Sequence, residues 1–262
     1  MRYKLKIGIA QIPMYWTVKE NTETICKTIT DNQDVDVIVF PELAITGFHR
    51  GIKEETQASL ITAALDKISV QCLESNTLTF VGHPFIENNK IYNAYSAINE
   101  QGNIGLVWKK VGLTPSEATF FEAGVNRTVL NHPLGSFSSI FCREASDVNL
   151  VVGELLSKSP SYIIWPSYIG DAKKEKNMTD INYDLGTKSI AKQLSAIVIQ
   201  CNWAHSLNEP SRRGLGGSKI FSTNGDITAQ LPFDECCIGI FDTIANRMKI
   251  RNKYEFSEFY SR

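Results

Sequence analysis

Three observations predict an α/β fold. Short apolar strand patterns alternate with helical periodicities, strand-helix-strand units occur in both halves of the chain, and additional hairpins argue against a purely parallel sheet. The first strand pattern covers residues 4–11. Thr17-Val18-Lys19-Glu20 follows as a Ser/Thr-x-x-Glu box, a pattern that satisfies free N–H groups at a helix start, and Val18, Ile25 and Ile29 then recur at helical spacing. The apolar run 35–40 closes this first unit. A second helix is expected over about 54–74, with Leu60, Ala64, Ile68 and Cys72 on one stripe, leading into a strand from residue 77. Asn88-Asn89 separates a strand reaching Ile86 from one at 90–98, and Gln101-Gly102-Asn103 turns the latter into a strand at 104–110.

The second half repeats the alternation. A strand at 137–141 precedes a helix carrying Val148, Val151, Val152, Leu155 and Leu156, then a strand at 162–165. A helix over 181–194 leads to a strand at 196–201. Strands at 219–222, 227–230 and 236–241 follow, the first two joined by the turn Thr223-Asn224-Gly225-Asp226.

Nothing within the 262 residues reads as a linker, so one domain spanning 1–262 is expected. With 43% hydrophobic residues the chain can bury a substantial core, and it has no run of about 18 apolar residues that would suit a membrane span. A net charge of -1 with mixed signs leaves no footprint for nucleic acid or anionic lipid, and the densest basic stretch, Lys173-Lys174-Glu175-Lys176, is short and interrupted by an acid. The N-terminus enters a strand pattern without the apolar region of a secretory signal, which sets the expectation of a cytoplasmic protein. The six cysteines are scattered, at no spacing that reads as a zinc site or a disulfide framework, so neither metal nor cofactor is expected. Five of them, at 26, 72, 201, 236 and 237, are assigned to packing, as small buried hydrophobes.

Cys142 is different, because it directly follows an apolar strand. Two other segments supply what a nucleophilic thiol needs: Phe40-Pro41-Glu42 at the end of a strand, and Lys109-Lys110 at the end of another. A thiol with an ordinary pKa of about 8.5 is mostly protonated at neutral pH and needs a base. Glu42, among Val37-Ile38-Val39-Phe40-Pro41, can take that proton if burial raises its pKa, and return it to a leaving nitrogen. Attack on a carbonyl creates an oxyanion, which a lysine such as Lys110 can meet, with the backbone N–H of Arg143 as a second donor. Neighbours in a strand point to opposite faces, so only one of Lys109 and Lys110 can enter the site. A helix starting near Ser146 is expected to favour the thiolate through its partial positive charge.

The order Glu42, Lys110, Cys142 and its local contexts resemble the Glu-Lys-Cys triad of the nitrilase superfamily of carbon-nitrogen hydrolases. Phe40-Pro41-Glu42-Leu43-Ala44-Ile45-Thr46-Gly47-Phe48 is similar to its Pro-Glu segment, and Gly216-Gly217-Ser218 with Asn224-Gly225 to its late Gly-x-Ser and turn elements. The resemblance implies an αββα sandwich and hydrolysis of a non-peptide C–N bond in a small amide through a cysteine thioester. It also implies a homodimer or higher homo-oligomer. Acyl transfer to an amine, nitrile or N-carbamoyl hydrolysis, and a silent binding protein on the same fold stand as alternatives.

Glu117 occupies the place of a second family glutamate that positions substrate or water, with Glu122 as its rival. Arg143 either meets a substrate carboxylate through its fork or makes an internal ion pair with Glu144 or Asp147, the reading given more weight. Trp165, Tyr168 and Trp203 line a pocket or the core, His49 borders the site, and His83, His132 and His205 read as turn or surface residues. The chain departs from the family pattern in several places. Gly112 stands where histidine is frequent, Arg143-Glu144 where an aromatic-acidic pair is usual, and Ala145-Ser146-Asp147-Val148 where Arg-Phe-Pro-Glu is familiar. Arg-Ala-x-Glu-Asn is missing before Ala196. Arg143 after the cysteine, and the chain end soon after the last strand, set the expectation of amides over nitriles.

Overall fold

The computed structural model describes residues 4–170 and 183–253. The first half runs β1 (Lys6–Gln11), α1 (Val18–Thr30), β2 (Val37–Val39), α2 (Ile52–Glu55), α3 (Ala58–Ser75), β3 (Leu78–Glu87), β4 (Lys90–Ile98) and β5 (Ile104–Lys109). After a 3-10 turn at Glu117–Thr119 come β6 (Leu130–His132) and β7 (Gly135–Ser139), then a second such turn, Cys142–Ser146, that leads into α4 (Val148–Leu155). The described chain finishes with β8 (Tyr162–Ser167), α5 (Tyr183–Leu194), β9 (Ile197–Asn202), β10 (Lys219–Phe221), β11 (Ile227–Gln230), β12 (Cys237–Asp242) and β13 (Arg247–Lys253).

The strands form two mixed sheets, one ordered β13-β12-β1-β2-β3-β4-β5 and the other β11-β10-β9-β8-β7-β6. Each has a parallel centre, β1-β2-β3 and β7-β8-β9, flanked by antiparallel strands. Side chains alternate between the two faces of every strand, and this sets the layers. Ile7, Ile9, Val37, Val39, Phe80 and Tyr95 face inward, against Phe137, Tyr162, Ile164 and Ile199 of the other sheet. Their neighbours Ile38, Val81 and Ile98 face outward under α1 and α3 through Ile25, Ile29, Ile61, Ala64, Ile68 and Cys72. Ile163, Trp165 and Val198 do the same under α4 and α5, against Val151, Leu155, Ile190 and Ala191. The result is an αββα sandwich, as expected.

Several boundaries differ from the sequence reading. The helix expected over 54–74 is two helices, broken where the Glu55 carboxylate turns away to accept the Val18 N–H at 2.7 Å and Gln57 takes an extended conformation. Leu156 lies past the end of α4, in a further 3-10 turn. The strands β6 and β13 and the short helix α2 carried too little periodicity to be foreseen. His83 is fully buried rather than at the surface, bonded to Ser96 Oγ at 2.7 Å and to the Pro84 carbonyl at 2.8 Å. Residues 181–182 of the expected last helix and the basic stretch 173–176 lie outside the described residues.

Candidate active site

Glu42, Lys110 and Cys142 come from three strand ends. Glu42 follows β2 in a turn pinned on all sides: the Phe40 N–H bonds the Phe80 carbonyl at 2.9 Å, the Tyr95 hydroxyl donates to the Phe40 carbonyl at 2.7 Å, and the Trp203 indole donates to the Glu42 carbonyl at 2.8 Å. Lys110 follows β5, its N–H donating to the Asn93 carbonyl at 2.8 Å and its carbonyl accepting from Gly124 at 2.7 Å. Cys142 follows β7 with φ at +44°, a left-handed conformation that L residues rarely hold unless their surroundings fix it. Here the Trp165 indole donates to the Cys142 carbonyl at 2.9 Å, and the Phe141 carbonyl accepts the Glu144 N–H at 2.8 Å, closing the 3-10 turn.

The charged centre is dry. The side chains of Lys110 and Glu42 have no exposed surface, and Lys110 Nζ lies 2.8 Å from Glu42 Oε1 and 2.5 Å from Glu117 Oε1. Asn93 Nδ2 donates to the same Glu42 oxygen at 2.8 Å, while Thr114 N–H fixes the other Glu117 oxygen at 2.8 Å. Glu42 Oε2 is buried and has no protein partner. Buried polar atoms are nearly always satisfied, so this oxygen is held in reserve. Lysine has three N–H donors, of which the two carboxylates take two.

Burial is the main cause raising the Glu42 pKa, with the Glu117 charge adding to it and the Lys110 charge opposing it. Burial alone would lower the Lys110 pKa, but Glu42, Cys142 and Glu117 outweigh it and hold the lysine charged. The Cys142 thiol is pushed up to about 12, first by burial and then by the Glu42 charge, against the pull of Lys110. This corrects the expectation that a helix near Ser146 would favour the thiolate: α4 begins at Val148, and desolvation dominates. The sulfur lies 3.9 Å from the Tyr168 carbonyl, and the resting group is a thiol.

Of the two candidate acids, Glu117 is in this cluster, whereas Glu122 is exposed and 3.7 Å from Lys90. Lys109 points away, 2.7 Å from Glu87 and over the Tyr92 ring at 4.3 Å. Arg143 lies on the wall of the Cys142 cavity, its fork bonded to Asp147 at 3.0 and 2.9 Å. That pair explains the departure at Gly112, where an added Cβ would sit 2.9 Å from both Arg143 Nη1 and Asp147 Oδ2. Gly186 of α5 likewise lets that helix close on the nucleophile turn, since a Cβ there would be 2.0 Å from the Ala145 carbonyl. Trp165 and Trp203 are core residues with bonds to site backbone, Tyr168 lines the cavity, and His49 lines the adjoining one.

Sequence reasoning missed Asn93, Glu144 and Arg127. Glu144, fully buried, accepts the Val111 and Gly112 N–H groups at 2.7 Å each through Oε1 and the Phe141 N–H at 2.9 Å through Oε2. One carboxylate thereby ties the lysine loop to the cysteine turn. Arg127, also buried, lies 3.1 Å from Glu144 and 3.1 Å from Glu154, balancing the charge. Asn93 shares its strand parity with Tyr95, the one sequence signal that would have turned it inward.

The cavity over Cys142 has a volume of about 210 Å³ and is walled by Phe48, Thr114, Glu117, Tyr168 and Arg212 among others. Among the described residues, no group of three His, Cys, Asp or Glu side chains converges as metal ligands, and no helix is long and apolar enough to cross a membrane.

The carbon-nitrogen hydrolase family profile matches residues 6–243, and the chain belongs to that family. It is therefore a carbon-nitrogen hydrolase of the nitrilase superfamily. A probable nitrilase of Schizosaccharomyces pombe is 23% identical over 239 residues, covering 87% of this chain and 84% of the relative. The fold is that of an amidase from Nesterenkonia sp., with a TM-score of 0.77 at 17% identity over 92% of this chain and 91% of the other. A variant of that amidase has the acetamide moiety of fluoroacetamide added covalently at its active site cysteine, with a TM-score of 0.78 at 15% identity over 91% and 89% of the chains. Saccharomyces cerevisiae Nit3, of branch 10 of the superfamily, superposes with a TM-score of 0.76 at 18% identity, covering 93% and 92%.

Replacing Glu144 with Gln puts an amide N–H₂ against N–H donors and leaves Arg127 short of a charge partner. We expect Glu144→Gln to lose about 1–3 kcal/mol of stability, read by chemical denaturation, and to lower turnover. Wild-type values for both would show that the carboxylate does not hold the two loops.

Proposed function

We propose that the protein hydrolyses the C–N bond of a small amide through a thioester on Cys142. The observation that carries this reading is the free, buried Glu42 Oε2, in a carboxylate whose other oxygen is occupied by Lys110 and Asn93. Glu42 takes the thiol proton as sulfur attacks the carbonyl carbon, which is why a thiol with a raised pKa still serves: the base acts during attack. The third Lys110 N–H and the backbone N–H of Arg143 meet the oxyanion. As the tetrahedral adduct collapses, the C–N bond breaks and Glu42 returns its proton to the leaving nitrogen, releasing ammonia and leaving the acyl group on sulfur. Water, deprotonated by Glu42, then attacks the thioester; the C–S bond breaks, the thiol is reprotonated and the acid leaves. Glu117 holds Lys110 in place through both steps. The adduct of the acetamide moiety at the active site cysteine of the Nesterenkonia amidase variant marks that protein's cysteine as a nucleophile, which supports giving Cys142 the same part here.

A homo-oligomer is part of the proposal. Leu150, Leu156 and Leu185 leave apolar surface exposed on and beside α4 and α5, and α5 packs on the turn that carries Cys142.

A panel of amides, nitriles and N-carbamoyl compounds assayed for ammonia release tests the reaction. Amides should react fastest, and faster release from the matching nitriles would overturn the assignment. Cys142→Ala is expected to abolish turnover with the fold intact by circular dichroism. Cys201→Ala is expected to keep it, since Cys201 is buried in the core with its sulfur 3.3 Å from the Ala10 and Val39 carbonyls. Lys110→Ala should cost about two to three orders of magnitude in kcat, the range for one oxyanion donor, and Lys109→Ala little; the reverse ranking would give the role to Lys109 and overturn the assignment. Glu42 must be ionised to accept the thiol proton, so its raised pKa places the loss of activity, as pH falls, above the ordinary carboxylate range. The acid limb of kcat/KM measures this. Glu117→Gln removes a like charge that raises Glu42, and is expected to move the limb lower.

A further inference from the structure

We infer that Asn93 is a positioning residue of this reaction: its side-chain amide, carried on a strand paired on both sides, fixes which oxygen of Glu42 acts as the base. This rests on the amide reading above and deepens it at the same site. Asn93 lies on β4, between β3 and β5, with no exposed surface. Its Nδ2 donates to Glu42 Oε1 at 2.8 Å and reaches Glu117 Oε1 at 3.4 Å. Lys110 Nζ lies 2.8 Å and 2.5 Å from the same two oxygens. Both donors thus bridge both acids. The backbone carbonyl of Asn93 also accepts the Lys110 N–H at 2.8 Å, so one residue registers the base, the lysine and the second acid to a single strand.

The chemistry fixes how the amide is turned. An ionised carboxylate only accepts hydrogen bonds, so the end that faces two of them is the N–H₂ end. Asn93 Oδ1 is left buried with no partner. A side chain serving packing alone would be apolar or satisfied at both ends; this one gives up its acceptor to keep its donor. What the donor adds follows from the shape of lysine, a compact point charge on a flexible stem. A carboxylate bonded to it through one oxygen can still turn about its last torsion, which has a broad preference. The second donor, from a strand held by β3 on one side and β5 on the other, stops that turn and leaves Oε2 as the oxygen with no protein partner. Sites carried on strands hold such geometry more tightly than sites on loops. Asn93 does this without charge. The titratable groups acting on Glu42 are Lys110, Glu117 and Cys142. Burial has the largest effect and raises the Glu42 pKa, whereas the Asn93 bond is the smallest of the causes that lower it. A second cation in its place would pull the base down further.

The test uses Asn93→Leu, which keeps the branched shape and removes the donor. With an amide that the ammonia panel shows to be a substrate, kcat is expected to fall about ten- to a hundredfold, the scale on which a small misplacement is felt, with KM little changed. The acid limb of kcat/KM is expected to move to higher pH, because a donor to the carboxylate favours its ionised form. Ser96→Ala, on the same strand with its hydroxyl bonded to His83, should leave the limb in place. A limb that stays or moves down in Asn93→Leu, an unchanged kcat, or an equal movement in Ser96→Ala would overturn the inference. Should Asn93→Leu not fold by circular dichroism, Asn93→Ala is read in the same way, and unfolding of both assigns the residue to structure and likewise overturns it. If the wild-type protein releases ammonia from no amide, the amide reading fails, and the pH dependence of Cys142 alkylation by iodoacetamide, followed by peptide mass spectrometry, decides the part of Asn93 alone. An acid limb displaced upward in Asn93→Leu upholds that part, and any other profile removes it.

Discussion

One buried lysine sets the terms for the rest of the site. Lys110 Nζ has two carboxylate oxygens within 2.8 Å and a side chain with no exposed surface. Removing three charges from water is costly, and mutual attraction offsets that cost only when geometry is tight and the remaining hydrogen-bonding groups are satisfied. Asn93 and Thr114 supply those further bonds. Burial keeps Glu42 basic, with the Glu117 charge adding to it against the pull of Lys110, while the neighbouring negative charges hold the lysine charged. The thiol feels both effects and remains protonated until a substrate arrives.

The sandwich exists to deliver these groups from different directions. Each sheet has a parallel centre, and ligand sites in such sheets form beyond the carboxyl ends of the strands. Glu42 leaves β2 of one sheet and Cys142 leaves β7 of the other, so the base and nucleophile approach each other across the gap between layers. Lys110 arrives from the antiparallel edge strand β5. Glu144 then joins the last two, accepting two N–H groups from one loop and one from the other. The site is thus held by backbone contacts as well as by its own charges.

How much of this was legible in the sequence depended on range. The alternation of Ile7, Gly8, Ile9 and Ala10 or of Tyr162, Ile163, Ile164 and Trp165 is local, and it fixed which side chains face the other sheet and which face the helices. The order Glu42, Lys110, Cys142 was legible because strand ends are marked by the close of an apolar run. Glu144 and Arg127 were not: each is a charged residue in an irregular segment, where a solvated side chain is the ordinary outcome, and they are inside because partners up to 33 positions away converge on them. The break between α2 and α3 was hidden for the same reason, since the Glu55 side chain at the end of α2 accepts from Val18, far back in the chain. The raised thiol pKa could not be read from a helix start, because it depends on how much water the folded cavity admits.

Gly112 is coupled by packing to the residues that follow the nucleophile. Its missing side chain makes room for the Arg143–Asp147 pair, and any larger residue would press on both partners at once. A larger residue at that position and the present Arg143–Asp147 fork compete for one space, so the fork would have to shift to admit it. What looks like a gap in the sequence is thus the space that an ion pair beside the nucleophile occupies.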